Sequence, residues 1–103
     1  MNTIELFGNV LKKPEVFTYP TGVIGVNLLV EDQQTKSVFR CVARRSLAEH
    51  CKNLRMGDAV EIKGQVISKT RRVKNAYVEN GDKKMPLYQR NYSVMVKEIN
   101  GMA

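Results

Sequence analysis

Basic residues crowd into one segment of this chain, and their side chains could hold an anionic partner. Residues 69–90 contain seven basic side chains and only two acidic ones. The basic ones are Lys69, Arg71, Arg72, Lys74, Lys83, Lys84 and Arg90. The whole chain carries a formal net charge of +7, so most of its excess positive charge lies here. This distribution favours a polyanionic partner. The alternative is a solvated, flexible hairpin with no partner.

Two further arginines are spaced to share one face of a strand. Arg40 and Arg44 are four residues apart in a segment in which Phe39, Cys41 and Ala43 alternate with them. Successive side chains of a strand point to opposite faces, so the two arginines lie together, opposite the apolar residues. Burying guanidinium groups is costly, so their face must be wet or bind something anionic. Pairing of Arg40 with a neighbouring acid is the alternative.

Nothing in the chain has the pattern of a catalytic or metal site. His50 is the only histidine, and it stands beside Glu49 with no metal-ligand spacing. Cys41 and Cys51 are ten residues apart, which is neither a zinc nor a redox spacing, so we interpret them as small buried hydrophobes. There is also no phosphate-binding glycine loop and no paired-carboxylate motif. We therefore predict no enzymatic activity, no cofactor and no metal.

Hydrophobic periodicity predicts five strands and one helix in a single domain of 103 residues. The strands are predicted at about 2–11, 23–31, 37–44, 58–69 and 91–99. Ser46-Leu47-Ala48-Glu49 is a capping-box sequence at the start of the helix, and Gly57 is a suitable helix terminator. Residues 70–90 are predicted as a long β-hairpin or loop. Gly8 lies inside the first strand, where a glycine often marks a bulge or a sharp bend.

An ordered series of short motifs resembles the bacterial single-stranded-DNA-binding protein family over roughly residues 2–69. The series is Gly8-Asn9-Val10-Leu11-Lys12-Lys13-Pro14-Glu15, Leu47-Ala48-Glu49, Leu54-Arg55-Met56-Gly57 and Val60-Glu61-Ile62-Lys63-Gly64. The resemblance implies an all-β fold: a five-stranded OB-fold barrel over residues 1–103, with one short helix between strands three and four. The short, OB-only length is also similar to primosomal replication protein N.

The chain differs from this family at the positions where family members carry aromatic residues on which bases stack. The matching positions hold Val38, Arg44 and Arg71, and there is no tryptophan. Arg40 stands where the family also tends to place arginine. An arginine can stack its guanidinium plane on a base while contacting phosphate, so the departure implies weaker, more salt-sensitive binding.

Candidate contacts follow from a basic groove with aromatic platforms, which single-strand binders require. Lys12, Lys13 and Tyr19 lie in the loop after strand one, and Tyr77 and Tyr88 lie in the basic segment. Solvated turns and cross-strand packing are the alternatives for these residues. The predicted nucleic-acid contacts are Lys12, Lys13, Tyr19, Arg40, Arg44, Lys69, Arg71, Arg72, Lys74, Tyr77, Lys83 and Lys84.

The resemblance implies sequence-independent binding of single-stranded DNA in replication, recombination or repair. The alternatives are an RNA-binding OB module and a primosome-type protein-interaction adaptor.

We expect a homo-oligomer, dimer or tetramer, because Phe7 points away from the apolar face of strand one. The N-terminus has no signal-peptide pattern and no segment is long enough to span a bilayer, so we expect a cytoplasmic protein without membrane contact. The chain ends at Ala103 without an acidic tip, so no tail-mediated protein recruitment is expected.

Overall fold

The computed structural model describes residues 2–81 and 83–102, which form six strands and one helix. The elements are β1 Ile4–Val10, β2 Glu15–Thr18, β3 Ile24–Asp32, β4 Val38–Arg44, α1 Ser46–Cys51, β5 Ala59–Asn80 and β6 Lys83–Met102. Within these residues, no helix is long and apolar enough to cross a membrane.

Five of the strands form a closed ring. The sheet runs β1-β5-β6-β4-β3, and a second pairing between β1 and β3 closes it. All these pairings are antiparallel except that of β4 with β6, which is parallel. The helix α1 connects β4 to β5, so the predicted five-stranded barrel with one short helix is confirmed.

The sixth strand, β2, was not predicted and belongs to the connection between β1 and β3. It pairs with residues 24–27 of β3, whereas β1 pairs only with residues 30–32. One end of β3 therefore has an edge that β1 leaves open, and β2 fills it. The segment is short, and Pro14 before it and Pro20 after it made it look like a loop.

The ring closes at Gly8, where β1 passes from one neighbour to the other. Gly8 lies opposite both Asp32 of β3 and Val60 of β5. A Cβ atom at this position would stand 2.2 Å from the carbonyl oxygen of Glu31 and 2.8 Å from Val30 Cγ1. Only glycine allows the strands to approach this closely. The pairing register of β1 is continuous through Gly8, so the bulge or sharp bend expected there stays a prediction.

The barrel interior is filled by apolar side chains from every strand of the ring, together with α1. The fully buried ones include Val10, Val26, Leu28, Val30, Cys41, Cys51, Val60, Ile62 and Val94. Both cysteines are free thiols, and burial raises the pKa of Cys41 to about 12 and that of Cys51 to about 11. They therefore pack as small hydrophobes, as predicted.

The predicted ends of the helix are wrong at both termini. The N-cap is Arg45, which makes no side-chain cap hydrogen bond, and Ser46 is already the first helical residue. The pairing of β4 with β3 continues to Arg45, whose N–H donates to the Ile24 carbonyl. Only Arg45 is then left to form the turn into α1, so Ser46 is helical and the capping box does not form. The helix ends at Cys51, so Gly57 is no terminator and instead donates its N–H to the Val10 carbonyl in the turn before β5.

Strands β5 and β6 extend beyond the barrel as one long antiparallel hairpin. Their pairing continues past the predicted strand ends to Asn80 and Lys83, with an irregularity between Arg72 and Tyr77. The molecule measures 58 × 36 × 28 Å, since the hairpin projects from a compact barrel. Of the two predicted alternatives for residues 70–90, the structure therefore shows the hairpin.

Candidate nucleic-acid interface

The outer face of β4 carries the two arginines singled out from the sequence. Arg40 and Arg44 are exposed, whereas Cys41 and Ala43 are fully buried and Phe39 packs against the core. The predicted separation of the two faces is confirmed. On the neighbouring strand β3, Leu29 lies opposite Arg40 and Gly25 lies opposite Arg44.

An open groove crosses this face and joins β4 to the base of the hairpin. We call it the central groove; its volume is about 340 Å³. It is lined by Phe17, Tyr19, Arg40, Val42, Ile67, Ser68, Lys69, Asn91, Ser93 and Met95. None of these lining residues is acidic. The groove therefore brings two cations, Arg40 and Lys69, together with two aromatic residues, Phe17 and Tyr19.

The aromatic side of the groove is a packed pair of rings. Phe17 and Tyr19 meet edge to face, with ring centroids 4.9 Å apart and planes inclined at 67°. The Phe17 ring lies directly over Gly25, its pairing partner on β3. A Cβ atom at Gly25 would stand only 2.4 Å from Phe17 Cζ. The missing side chain at Gly25 lets the Phe17 ring lie against the sheet, and Phe17 in turn supports Tyr19 at the groove.

Phe17 is a functional candidate that sequence reasoning missed. Glu15-Val16-Phe17-Thr18 was placed in a loop, although a β-branched residue followed by an aromatic one is a strand signal. Asn91, Ser93 and Met95 were also missed as groove residues. They alternate with Val94 and Val96, the core residues of β6, and so lie on its outward face.

Of the two lysines after β1, Lys12 lies beside the same surface. Lys12 and Lys13 are both exposed. Lys12 pairs with Glu15 at 3.5 Å and lines a smaller cavity that also includes Arg40. Exposed pairs of this kind contribute only about 0–1 kcal/mol, so Lys12 is free to exchange the carboxylate for a phosphate.

The two faces of the hairpin divide the basic residues predicted there. Lys69 lies opposite Asn91, and both line the central groove. Arg72 lies opposite Tyr88, an odd number of residues further along, so that pair occupies the other face. The structure therefore brings Lys69 to the groove and places Arg72 away from it.

The remaining candidates lie along the outer part of the hairpin. Lys74 and Tyr77 are exposed at the irregular stretch of β5, and Lys83 and Lys84 are exposed near the tip. The side chain of Arg71 lies outside the described part of the chain. Lys74, Tyr77, Lys83 and Lys84 do not line the central groove, so contact with them requires a nucleic-acid strand that extends along the hairpin.

A closed five-stranded ring, a helix between its third and fourth strands, and an open groove over its outer face together define an OB-fold. In such barrels this face, with the adjoining loops, is where oligonucleotides and oligosaccharides bind.

Solved structures share this fold over nearly the whole chain. The single-stranded DNA binding protein of Thermus aquaticus superposes with a TM-score of 0.74 over 100% of this chain, at 20% identity. The SSB domain of a protein from Synechococcus sp. superposes with a TM-score of 0.70 over 96% of the chain, at 14% identity. The sequence resemblance to this family therefore extends to the fold.

The extent of the match differs between the two structures. The chain spans 41% of the Thermus aquaticus protein but 93% of the Synechococcus domain. No protein-family model and no curated protein sequence matches this chain.

A substitution at Gly25, which lies under the Phe17 ring, tests whether Phe17 and Tyr19 belong to the nucleic-acid interface. Gly25→Ala places a methyl group against the Phe17 ring, which must move and withdraw its support from Tyr19. We expect Gly25→Ala and Tyr19→Ala each to weaken single-strand binding by about 1 kcal/mol or more, roughly fivefold, as for loss of one stacked base. Fluorescence anisotropy with a labelled oligonucleotide measures the effect.

Tyr88→Ala is the matched control, because Tyr88 is exposed on the opposite face of the hairpin. Its affinity should stay at the wild-type value. Equal losses for Tyr19→Ala and Tyr88→Ala would show that the central groove holds no base.

Proposed function

We propose that this protein binds single-stranded DNA without catalysis and without regard to base sequence. One observation carries the proposal: the central groove joins Arg40 and Lys69 to the ring of Tyr19 on the face that OB-folds use for oligonucleotides. The solved structures that share the fold are named as single-stranded DNA binding proteins, which supports the same class of ligand.

The groove suits a single strand for two physical reasons. A base can stack on Tyr19 only if it is unpaired, so a duplex cannot use the aromatic side. Arg40 and Lys69 meet phosphates, which are identical at every nucleotide. Stacking and phosphate contact are both indifferent to base identity, so binding follows the backbone along the groove.

Single-stranded DNA arises in replication, recombination and repair, and we propose that the protein acts in these processes in the cytoplasm.

We further propose that it works as a homo-oligomer. Phe7 supports this proposal, because its side chain is 44% exposed on the outer face of β1. A second copy that covered this ring would also shield the adjoining strand surface from water.

Salt dependence provides the first test. Arg40, Arg44, Lys69 and Lys12 can neutralise three to four phosphates, and each contributes about −0.7 to the log–log slope for a single strand. We therefore expect the logarithm of the association constant to fall with the logarithm of the salt concentration at a slope of about −2 to −3. Titration of labelled oligonucleotides by anisotropy at several salt concentrations measures the slope.

Parallel titrations with RNA and with duplex DNA complete this experiment. Single-stranded DNA should bind more tightly than the duplex, with similar affinities for unrelated sequences. Tighter binding of RNA would instead favour an RNA-binding OB module. A slope near zero, or a strong preference for one base sequence, would contradict the proposal.

A further inference from the structure

A second depression lies beside the central groove, between the turn after β2, the start of α1 and the last part of β6. We call it the helix-side basin; its volume is about 610 Å³, the larger of the two. It is lined by Tyr19, Pro20, Thr21, Val23, Arg44, Arg45, Leu47, Met95, Val96 and Lys97. Three of these residues are cations and none is acidic. Arg45 and Lys97 do not line the central groove.

Arg45 lines the basin in a backbone conformation that suits glycine. Its φ is 59° and its ψ is −125°, a combination that costs a side-chain-bearing residue about 1–3 kcal/mol. The turn from β4 into α1 requires this geometry, yet the chain has arginine there. The strain indicates that the side chain itself has a use at the edge of the basin.

Lys97 reaches the basin through a second backbone irregularity, in β6. Lys63 lies opposite Glu98 and Gly64 lies opposite Val96, so Lys97 is an extra residue in the strand register. Bulges of this kind commonly re-aim a side chain next to a functional site. The bulge leaves Lys97 exposed between the buried residues Val96 and Ile99. Two separate departures from regular structure therefore direct cations into one depression.

The cations of the basin are free to bind an anion. Among the described side chains, the ion pairs are Lys12 with Glu15 and Lys52 with Glu49, and neither involves Arg44, Arg45 or Lys97. A volume of about 610 Å³ also falls within the range of roughly 300–1,000 Å³ that holds a small organic ligand.

The basin and the central groove form a continuous surface. Tyr19 and Met95 line both depressions. A strand with a base stacked in the central groove needs only to pass this ring to enter the basin. There, Arg45 and Lys97 would meet a phosphate, and the half-buried side chains of Leu47 and Met95 would provide an apolar surface for a base.

We propose that the helix-side basin is a second nucleotide subsite, occupied by the same single strand that lies in the central groove. The inference rests on the proposed function and adds the direction of the path, which continues past Tyr19 towards α1. It predicts that affinity rises in two stages with oligonucleotide length: first as the groove fills and then as the basin fills.

A length series on a charge-removal variant tests this subsite. Oligothymidylates of about 4 to 16 nucleotides, the range of site sizes for one OB-fold, are titrated against wild type and against Arg45→Gly with Lys97→Gln. We expect the shortest oligonucleotides to bind the variant as they bind wild type. The longer ones should lose at least about tenfold in affinity. Glycine suits the backbone at position 45, so the melting temperature of Arg45→Gly should equal or exceed that of wild type.

Lys52→Gln with Arg55→Gln is the matched control, since it removes the same charge from exposed residues that line neither depression. This control should keep the wild-type length dependence. A basin variant that also keeps it, or that loses the same factor at every length, would overturn the second subsite while leaving the central groove intact. Failure of wild type to bind oligothymidylate of any length would instead overturn the proposed function, and the subsite with it.

Discussion

Arg40→Ala combined with Arg44→Ala is expected to weaken single-strand binding at least about tenfold, or 1.4 kcal/mol, while the protein stays folded. Both side chains are exposed on the outer face of β4, and the core lies behind the opposite face. Arg40 borders the central groove and Arg44 borders the helix-side basin, so the double variant removes one cation from each. Anisotropy titration measures the affinity, and a thermal melt monitors the fold.

The two readouts separate binding from structure. Among the described side chains neither arginine forms an ion pair, so its loss should leave no buried charge uncompensated and the melting temperature should stay within a few degrees of wild type. The variant Lys52→Ala with Arg55→Ala provides the control for net charge. A collapsed melting temperature would assign the arginines a structural role. Unchanged affinity would leave binding to Lys69, Tyr19 and the hairpin.

Gly8→Val should have the largest effect on stability, because it acts where the ring closes. The new Cβ would stand 2.2 Å from the Glu31 carbonyl oxygen, so β1 must move away from β3 or from β5. Overpacking at a rigid backbone contact costs roughly 3 kcal/mol or more. For a domain of about 100 residues this corresponds to a fall of more than about 12 °C in melting temperature.

Gly101→Val is the control for the same change elsewhere in the sheet. Nothing lies within 4 Å of the Cβ position at Gly101, so the added side chain meets open space. Its free energy of unfolding, from urea denaturation, should stay within about 0.5 kcal/mol of wild type. Equal stabilities for the two valine variants would show that the double pairing of β1 does not hold the barrel closed.

The aromatic residues that line the central groove are not at the positions that the family resemblance implied. The family's platform positions hold Val38, Arg44 and Arg71 in this chain. The structure instead supplies Phe17 and Tyr19 from β2 and the turn after it. The pair stands on Gly25 of β3, which brings an aromatic ring to the groove from the neighbouring strand. The cation Arg40 then stands across the groove from an aromatic residue.

Much of the fold could be predicted because it depends on local patterns. Period-two alternation along residues 37–44 separates Arg40 and Arg44 from Cys41 and Ala43, and the structure agrees. A glycine inside an alternating strand marked Gly8 as a special position, and the structure shows a close approach between strands there. The predicted ends of α1 are wrong because they depend on a contact between distant segments. Ser46 and Glu49 satisfy a local capping rule, but the pairing of β4 with β3 determines where the chain turns.

The sequence by itself determined the chemistry available to this protein: which faces are apolar, which segment is basic, and which segments form strands. The family resemblance added the closed OB-type barrel. Only the tertiary structure decided which of these groups meet. Tyr19 lines the central groove together with Arg40 and Lys69 because β2 pairs with the open edge of β3. Strand alternation places Arg72 on the other face of the hairpin. Arg45 and Lys97 lie 52 residues apart in the chain, and a strained turn and a bulge bring them to one basin. Which side chains become neighbours depends on strand register and ring closure. These are properties of strand pairs and cannot be read from any one segment.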